Sequence, residues 1–81
     1  MTVTVQLFAR ARELAGAGRV ELEIPAQALV ADLKQSLAAR FPAMSPLVPR
    51  LLVALGTEYA DDATRVKPDV EISCFPPVSG G

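Results

Sequence analysis

Hydrophobic and polar residues alternate with a period of two in three stretches of the chain, at residues 2–8, 20–24 and 70–75. That period is typical of a β-strand with one buried face. An apolar run at 51–55, stopped by Gly56, predicts a further strand, and a brief one is expected through Tyr59. The pattern therefore predicts four or five strands spread over the chain.

Between the strands predicted at 20–24 and 51–55, the apolar residues are spaced as in a helix. From Leu29 to Phe41 apolar residues recur every three or four positions, at Val30, Leu33, Leu37 and Phe41. No capping side chain precedes Val30, although Asp32 in the first turn suits the helix dipole. A short helical turn is also expected over 9–15, and an irregular connection with two prolines over 44–50.

This order of elements, with one substantial helix to cover one face of a sheet, indicates an α+β roll. The chain has 81 residues, 51% of them hydrophobic and 21% charged, so it forms one small folded domain rather than a disordered chain. We place that domain at residues 1–75, followed by a flexible tail at 76–81.

Charge and residue counts exclude several classes of function. Eight Lys and Arg against nine Asp and Glu give a net charge of -1, which favours neither nucleic acid nor an acidic membrane as a partner. One cysteine and no histidine exclude an intrachain disulfide, a His-based triad and a structural zinc site of the usual kind. No signal-peptide pattern or membrane-length apolar run is present, so we expect a cytoplasmic protein.

Two aromatic residues occupy strand positions where solvent-facing residues were expected. Phe8 shares its face with Thr4 and Gln6, and Phe75 shares its face with Glu71 and Ser73. If the first and last strands are neighbours, the two rings form an exposed apolar patch of the kind that often marks a partner surface. Alternatively, aromatic residues at strand ends fold over the rim of the core.

The tail at 76–81 begins with two prolines, which stiffen the backbone, and ends with two glycines. Pro76 and Pro77 cannot donate to a sheet and favour extended backbone. Gly80 and Gly81 have no Cβ, so the tail end fits a narrow channel and leaves the terminal carboxylate unhindered. A frayed terminus is the alternative interpretation. Together, the small mixed domain, the two prolines and the two terminal glycines favour a chain that presents its terminal carboxylate to another protein.

The ending Phe-Pro-Pro-Val-Ser-Gly-Gly at 75–81 resembles the terminal signature of the small, sulfur-carrier subunit of molybdopterin synthase, a ubiquitin-like β-grasp family. The opening at 5–16 is similar to that family's first strand and following helix, with Phe8-Ala9 and Arg12-Glu13-Leu14 in the usual places. Two turns depart from the family pattern, with Gly56 in place of a common Asn and Pro68-Asp69-Val70 in place of Asp-Gly-Asp.

The resemblance implies a β-grasp fold with an extended C-terminal tail, and a carrier cycle at Gly81. An E1-like enzyme would use ATP and magnesium to adenylate Gly81, and a sulfur donor protein would supply the sulfur of a C-terminal thiocarboxylate. The large synthase subunit would bind the carrier in a 2+2 heterotetramer. The sulfur would pass to cyclic pyranopterin monophosphate, and this chain itself would bind no cofactor or metal. The residues inserted into the large subunit would be Pro76, Pro77, Val78, Ser79 and Gly80.

The resemblance also assigns a partner interface at Phe8, Tyr59 and Phe75, and Arg12 is a candidate for contact with an acidic partner surface. For Arg12 a solvated helix face is an equal explanation. Cys74 alternates with Val70 and Ile72, which predicts an inert core thiol rather than a sulfur relay. Asp61 and Asp62 are expected in a solvated turn rather than a metal site.

Three other functions remain open at this point. The chain could carry sulfur for thiamine or tRNA thiolation, or it could be a ubiquitin-like modifier joined through Gly81 to lysines of target proteins. It could also be a β-grasp interaction module whose tail has no role.

Overall fold

One mixed β-sheet of five strands, in the order β2-β1-β5-β3-β4, forms the centre of the computed structural model, which describes residues 1–77. The strands are β1 (Thr2–Leu7), β2 (Arg19–Glu23), β3 (Leu52–Leu55), β4 (Glu58–Ala60) and β5 (Ile72–Phe75). Two α-helices, α1 (Ala9–Ala15) and α2 (Val30–Arg40), and two 3₁₀ turns, Pro42–Met44 and Val48–Arg50, complete the described part. The predicted α+β class and strand count are confirmed.

The first and last strands are neighbours in the middle of the sheet. β1 pairs with β5 in parallel, with Val5 opposite Ile72 and Leu7 opposite Cys74. The other pairings, β1 with β2 and β3 with both β4 and β5, are antiparallel. The strand that opens the chain therefore lies beside the strand that leads into the tail.

Helix α2 supplies the main apolar layer against the sheet. Its residues Val30, Leu33 and Leu37 are fully buried, as the three- and four-residue spacing predicts. They belong to the same core cluster as the inward residues of the sheet, including Val5, Leu7, Val53, Ile72 and Cys74. Burying one aliphatic side chain of this size contributes about 1.5–3 kcal/mol, so this layer is the main source of stability.

The connection after α2 is more ordered than its three prolines suggest. Pro42 and Pro49 each occupy one of the first positions of a 3₁₀ turn, where the fixed proline φ is compatible with helix and no N–H is needed. The turns bury Met44 and Val48 in the core. The expected irregular connection at 44–50 is therefore wrong at residues 48–50, which form a 3₁₀ turn with Pro49 as its second residue.

Strand boundaries differ from prediction at the last strand. Alternation predicted a strand over 70–75, whereas β5 begins at Ile72, and residues 68–70 form a turn and bend. Val70 is still half-buried and Glu71 exposed. Alternation therefore reports which side a residue faces, not where ladder pairing begins.

The backbone N–H groups at the start of α2 donate hydrogen bonds to a distant part of the chain. The segment 61–66 accepts two hydrogen bonds there, from Val30 N–H to the Thr64 carbonyl at 2.8 Å and from Ala31 N–H to the Asp62 carbonyl at 3.1 Å. The Asp32 carboxylate accepts from Leu29 N–H at 2.8 Å. The free N–H groups of a helix start thus find partners without a Ser, Thr, Asp or Asn cap.

We expect Asp32→Ala to lower the free energy of unfolding by about 1 kcal/mol, because the substitution removes both the bond to Leu29 N–H and a negative charge beside the helix start. Urea unfolding measures the change. Gln35→Ala, at an exposed position of the same helix, is the matched control and should stay within about 0.5 kcal/mol of the parent. Equal stabilities of the two variants would contradict the capping role.

Candidate functional site

The face of the sheet opposite α2 divides into a polar end and an apolar end. Thr2 and Thr4 on β1 and Glu21 on β2 are exposed at the polar end. At the other end, where β5 finishes, the outward side chains are apolar. We call the set Phe8, Leu52, Tyr59 and Phe75 the aromatic patch.

The aromatic patch is held together by ring contacts centred on Phe75. The Phe8 and Phe75 rings stack with centroids 4.8 Å apart and planes within 10° of parallel. Tyr59 meets Phe75 edge-on, with centroids 6.4 Å apart and planes at 63°. Both distances lie in the range where aromatic pairs attract each other.

Strand pairing explains why these side chains meet. The parallel register that places Leu7 opposite Cys74 brings Phe8 beside Phe75 one position later. In the antiparallel pair with β3, Leu52 lies opposite Phe75. The patch is thus a consequence of sheet register, and the condition under which the two rings were expected to form a patch, that the first and last strands are neighbours, is met.

Most of the aromatic patch remains accessible to a partner. The exposed fractions are 39% for Phe8, 43% for Leu52 and 72% for Tyr59. Of the two rings for which rim packing was the alternative, Phe8 is exposed and Phe75 is half-buried. Exposed apolar patches of this kind often mark partner surfaces, and that role of the patch stays a prediction.

Leu52 was not predicted as a member of this surface. The run at 51–55 is apolar at every position, so it gives no sign of which residues face outward. In the structure Leu51 and Val53 are buried while Leu52 is exposed. Sequence reasoning could have found Leu52 only by fixing the register of β3 against β5.

Backbone geometry around Phe8 fixes the position of its ring. Phe8 N–H donates to the Cys74 carbonyl at 3.3 Å, and the Phe8 carbonyl accepts from Ala11 N–H at 3.1 Å. Ala9 follows with φ +53°, the only non-glycine residue with positive φ in the part of the chain that the structure describes. This conformation costs an L-residue roughly 1–2 kcal/mol and turns the chain sharply from β1 into α1.

The aromatic patch lies at the root of the tail. Phe75 is the last residue of β5, and Pro76 and Pro77 follow it half-buried and outside any strand. The predicted insertion residues Val78, Ser79 and Gly80 and the predicted reaction centre Gly81 lie outside the described residues. The roles assigned to 76–81 therefore stay predictions.

Arg12 does not lie with the other predicted interface residues. It is exposed on α1, and a Cβ added to Gly18 would lie 3.2 Å from its Nε atom. Its side chain thus runs along the loop between α1 and β2, whereas Phe8, Tyr59 and Phe75 meet on the sheet. Its predicted contact with a partner stays a prediction.

The remaining candidates are structural. The Cys74 thiol is fully buried, and burial raises its pKa to about 12, with a smaller opposite effect from Lys34. Asp61 organises its own turn by accepting from Ala63 N–H and the Thr64 hydroxyl, each at 3.0 Å. Asp62 pairs with Lys34 at 2.8 Å. Among residues 1–77, no group of three or more potential ligands could hold a metal ion.

We expect Cys74 to react with Ellman's reagent at pH 8 roughly a thousandfold more slowly in the native protein than in guanidinium, because so little thiolate exists below a pKa of about 12. The native rate should rise with pH up to that value, since deprotonation creates the nucleophile. Release of the coloured thiolate measures both rates. Native and unfolded rates within tenfold of each other would contradict the burial of this thiol.

These features define a class of protein. A five-stranded mixed sheet with its first and last strands parallel at the centre, crossed by one long helix, is the ubiquitin-like β-grasp fold. Residues 5–81 match the model of the ThiS family, and the chain belongs to that family.

Known proteins of similar sequence and structure agree with this assignment. The molybdopterin synthase sulfur carrier subunit of Arabidopsis thaliana is 34% identical over 79 residues, which cover 98% of this chain and 82% of that protein. SAMP1 from Haloferax volcanii superimposes with a TM-score of 0.84 at 28% identity, over 100% of both chains. The putative molybdopterin converting factor, subunit 1, from Pyrococcus furiosus also gives 0.84 at 28% identity, over 96% of this chain and 99% of that one.

The comparisons confirm the resemblance noted in the sequence and the β-grasp fold. Of the two departures, Gly56 has a clear local explanation. Its φ is +64°, a left-handed conformation that both Gly and Asn adopt readily, so the exchange leaves the turn after β3 unchanged. No helix among residues 1–77 is long and apolar enough to span a membrane.

Proposed function

We propose that this chain is the sulfur-carrier subunit of a molybdopterin synthase. The observation that carries the proposal is the aromatic patch at the root of a Gly-Gly tail, on a chain whose relatives across nearly its whole length bear that name. In this proposal the patch binds the large synthase subunit and the tail enters that subunit's active site. The assembly is a 2+2 heterotetramer.

The proposed chemistry takes place at the Gly81 carboxylate. A carboxylate is a poor electrophile until a good leaving group is attached, so an E1-like partner uses ATP and magnesium to form an acyl adenylate. Sulfur from a donor protein then replaces AMP and leaves a thiocarboxylate. The large subunit catalyses transfer of that sulfur to cyclic pyranopterin monophosphate, and two transfers build the dithiolene of molybdopterin.

In this proposal the domain docks on the large subunit, and the tail carries the reacting carboxylate into the active site. From Pro77 to Gly81 the tail reaches at most roughly 17 Å when extended, so the domain must dock close to the partner's active site. The aromatic patch lies where the tail leaves, which is the place such docking requires. Exposed aromatic residues in a central position are typical anchors of protein interfaces.

A second candidate function is attachment to other proteins as a ubiquitin-like modifier. The likeness to SAMP1, a small archaeal modifier protein, favours it. Both functions begin with activation of Gly81 and differ in the acceptor, which is a pterin in one and a lysine in the other. A carrier for thiamine or tRNA thiolation shares the same first steps.

The test of the carrier cycle is the intact mass of the protein after incubation with an E1-like enzyme, ATP, magnesium and a sulfur donor. We expect replacement of one oxygen by sulfur, localised to Gly81 by fragmentation and absent without ATP. Localisation is essential because oxidation of Met1, Met44 or Cys74 adds nearly the same mass. Deletion of Gly81 is the control. No gain at Gly81, with Gly81 conjugates present in cell lysate, would favour the modifier.

The test of the aromatic patch is binding to the large synthase subunit by calorimetry. We expect Tyr59→Ala and Phe75→Ala each to weaken binding by about 1–3 kcal/mol, because each removes an aromatic anchor. Tyr59 is 72% exposed, so its loss should leave the free protein's stability within about 0.5 kcal/mol.

Thr4→Ala, on the polar end of the same sheet face, is the matched control and should bind like the parent. If Tyr59→Ala binds as tightly as Thr4→Ala, the patch is not the docking surface. Unchanged affinity with lost stability in Phe75→Ala would make that ring part of the core.

A further inference from the structure

A protein that carries an activated acyl group is exposed to attack by its own nucleophiles, and this chain has few. It contains two lysines, Lys34 and Lys67, against six arginines, which do not act as nucleophiles at neutral pH. The two lysines lie in very different surroundings. Lys34 projects from α2, its side chain is only 11% exposed, and its Nζ is 2.8 Å from the Asp62 carboxylate.

The Lys34 amine must leave that ion pair and its half-buried position before it can reach an acyl carbon. Cys74 is still less available, since its thiol is wholly buried and stays protonated. The Met1 amine is part-buried and donates to the Ile24 carbonyl at 2.6 Å. The Tyr59 hydroxyl is exposed, but an aryl ester formed there is itself activated and is readily hydrolysed.

Lys67 differs from all of these groups. It is exposed, and it forms no salt bridge with any residue between 1 and 77. Its backbone is nevertheless fixed in place. The preceding residue, Val66, is buried and donates from its N–H to the Ala28 carbonyl at 2.9 Å. Arg65 pairs with Leu29 in an isolated bridge, so Lys67 extends from an anchored segment into solvent.

We propose that Lys67 is the acylation site of this chain, and that it accepts the activated C-terminal glycine of a second copy when no other acceptor is present. This inference rests on the proposed activation of Gly81. The unprotonated Nζ attacks the carbonyl carbon of the acyl adenylate, and a C–N bond forms. The C–O bond to the phosphate breaks, AMP leaves, and the amine's proton passes to solvent. The product is an isopeptide between Gly81 of one copy and Lys67 of the next.

The first test does not depend on any function of Gly81. The folded protein is treated briefly with the N-hydroxysuccinimide ester of acetic acid at pH 7.5, and peptide mapping measures acetylation at each amine. We expect Lys67 to react at least about tenfold faster than Lys34, because an accessible amine is the better nucleophile. Hydroxylamine treatment before mapping removes any ester at Tyr59. Equal rates at the two lysines would overturn the inference.

Two variants distinguish shielding by contacts from intrinsic reactivity. Asp62→Asn removes the carboxylate partner of Lys34 while keeping the Asp62 carbonyl that accepts from α2. We expect it to raise acetylation of Lys34 severalfold and leave Lys67 unchanged. Lys67→Arg should remove the fast-labelled lysine without making Lys34 a fast site. A new fast site in Lys67→Arg would contradict the view that the other nucleophiles are protected.

The second test uses the full chain with an E1-like enzyme, ATP and magnesium, without a sulfur donor. We expect a dimer joined at Lys67 in the parent, none in Lys67→Arg, and none when Gly81 is deleted. A dimer joined elsewhere, together with AMP release, would overturn the Lys67 assignment while supporting activation. Pyrophosphate release without a dimer would also overturn Lys67 as the acceptor. Absence of pyrophosphate release, which accompanies adenylation, would contradict the proposed function instead, and the acetylation experiment would still decide the reactivity of Lys67.

Discussion

The parallel pairing of β1 with β5 is the interaction on which the rest of the molecule depends. It joins the two ends of the domain at the centre of the sheet, with Val5 opposite Ile72 and Leu7 opposite Cys74. On the inner side it places the most buried residues of both strands beneath α2. On the outer side it stacks Phe8 on Phe75 at the root of the tail. The same strand register therefore determines both the core and the aromatic patch.

Successive side chains of a strand point to opposite faces of the sheet. The residues that fill the core and those that form the aromatic patch therefore cannot change register independently. A slip of β5 by one residue against β1 would exchange the inward and outward side chains of β5, moving Phe75 into the core and Cys74 into water. The resulting loss of apolar burial opposes such a slip strongly. The energy of the core thus fixes the geometry of the aromatic patch, and the patch need contribute little stability of its own.

Periodicity was sufficient to predict the strands, the long helix and the outward faces of Phe8 and Phe75, because each depends on local alternation, whereas the meeting of the two rings depended on the pairing of β1 with β5. Features that depend on distant pairing could not be predicted. The outward position of Leu52 follows from its register opposite Phe75, which a uniformly apolar run conceals. The start of α2 is satisfied by carbonyls of Asp62 and Thr64, about thirty residues away, so no local capping signal was needed.

The segment 61–66 both stabilises the start of α2 and pairs with the amine of Lys34. The same segment that accepts the first N–H groups of α2 supplies the carboxylate that holds Lys34. Its last residue, the buried Val66, directs Lys67 outward. This segment therefore accepts hydrogen bonds from the start of α2, holds the Lys34 amine in an ion pair and leaves Lys67 exposed to solvent. In the proposed carrier cycle the arrangement of amines matters because aminolysis of an activated Gly81 competes with productive transfer.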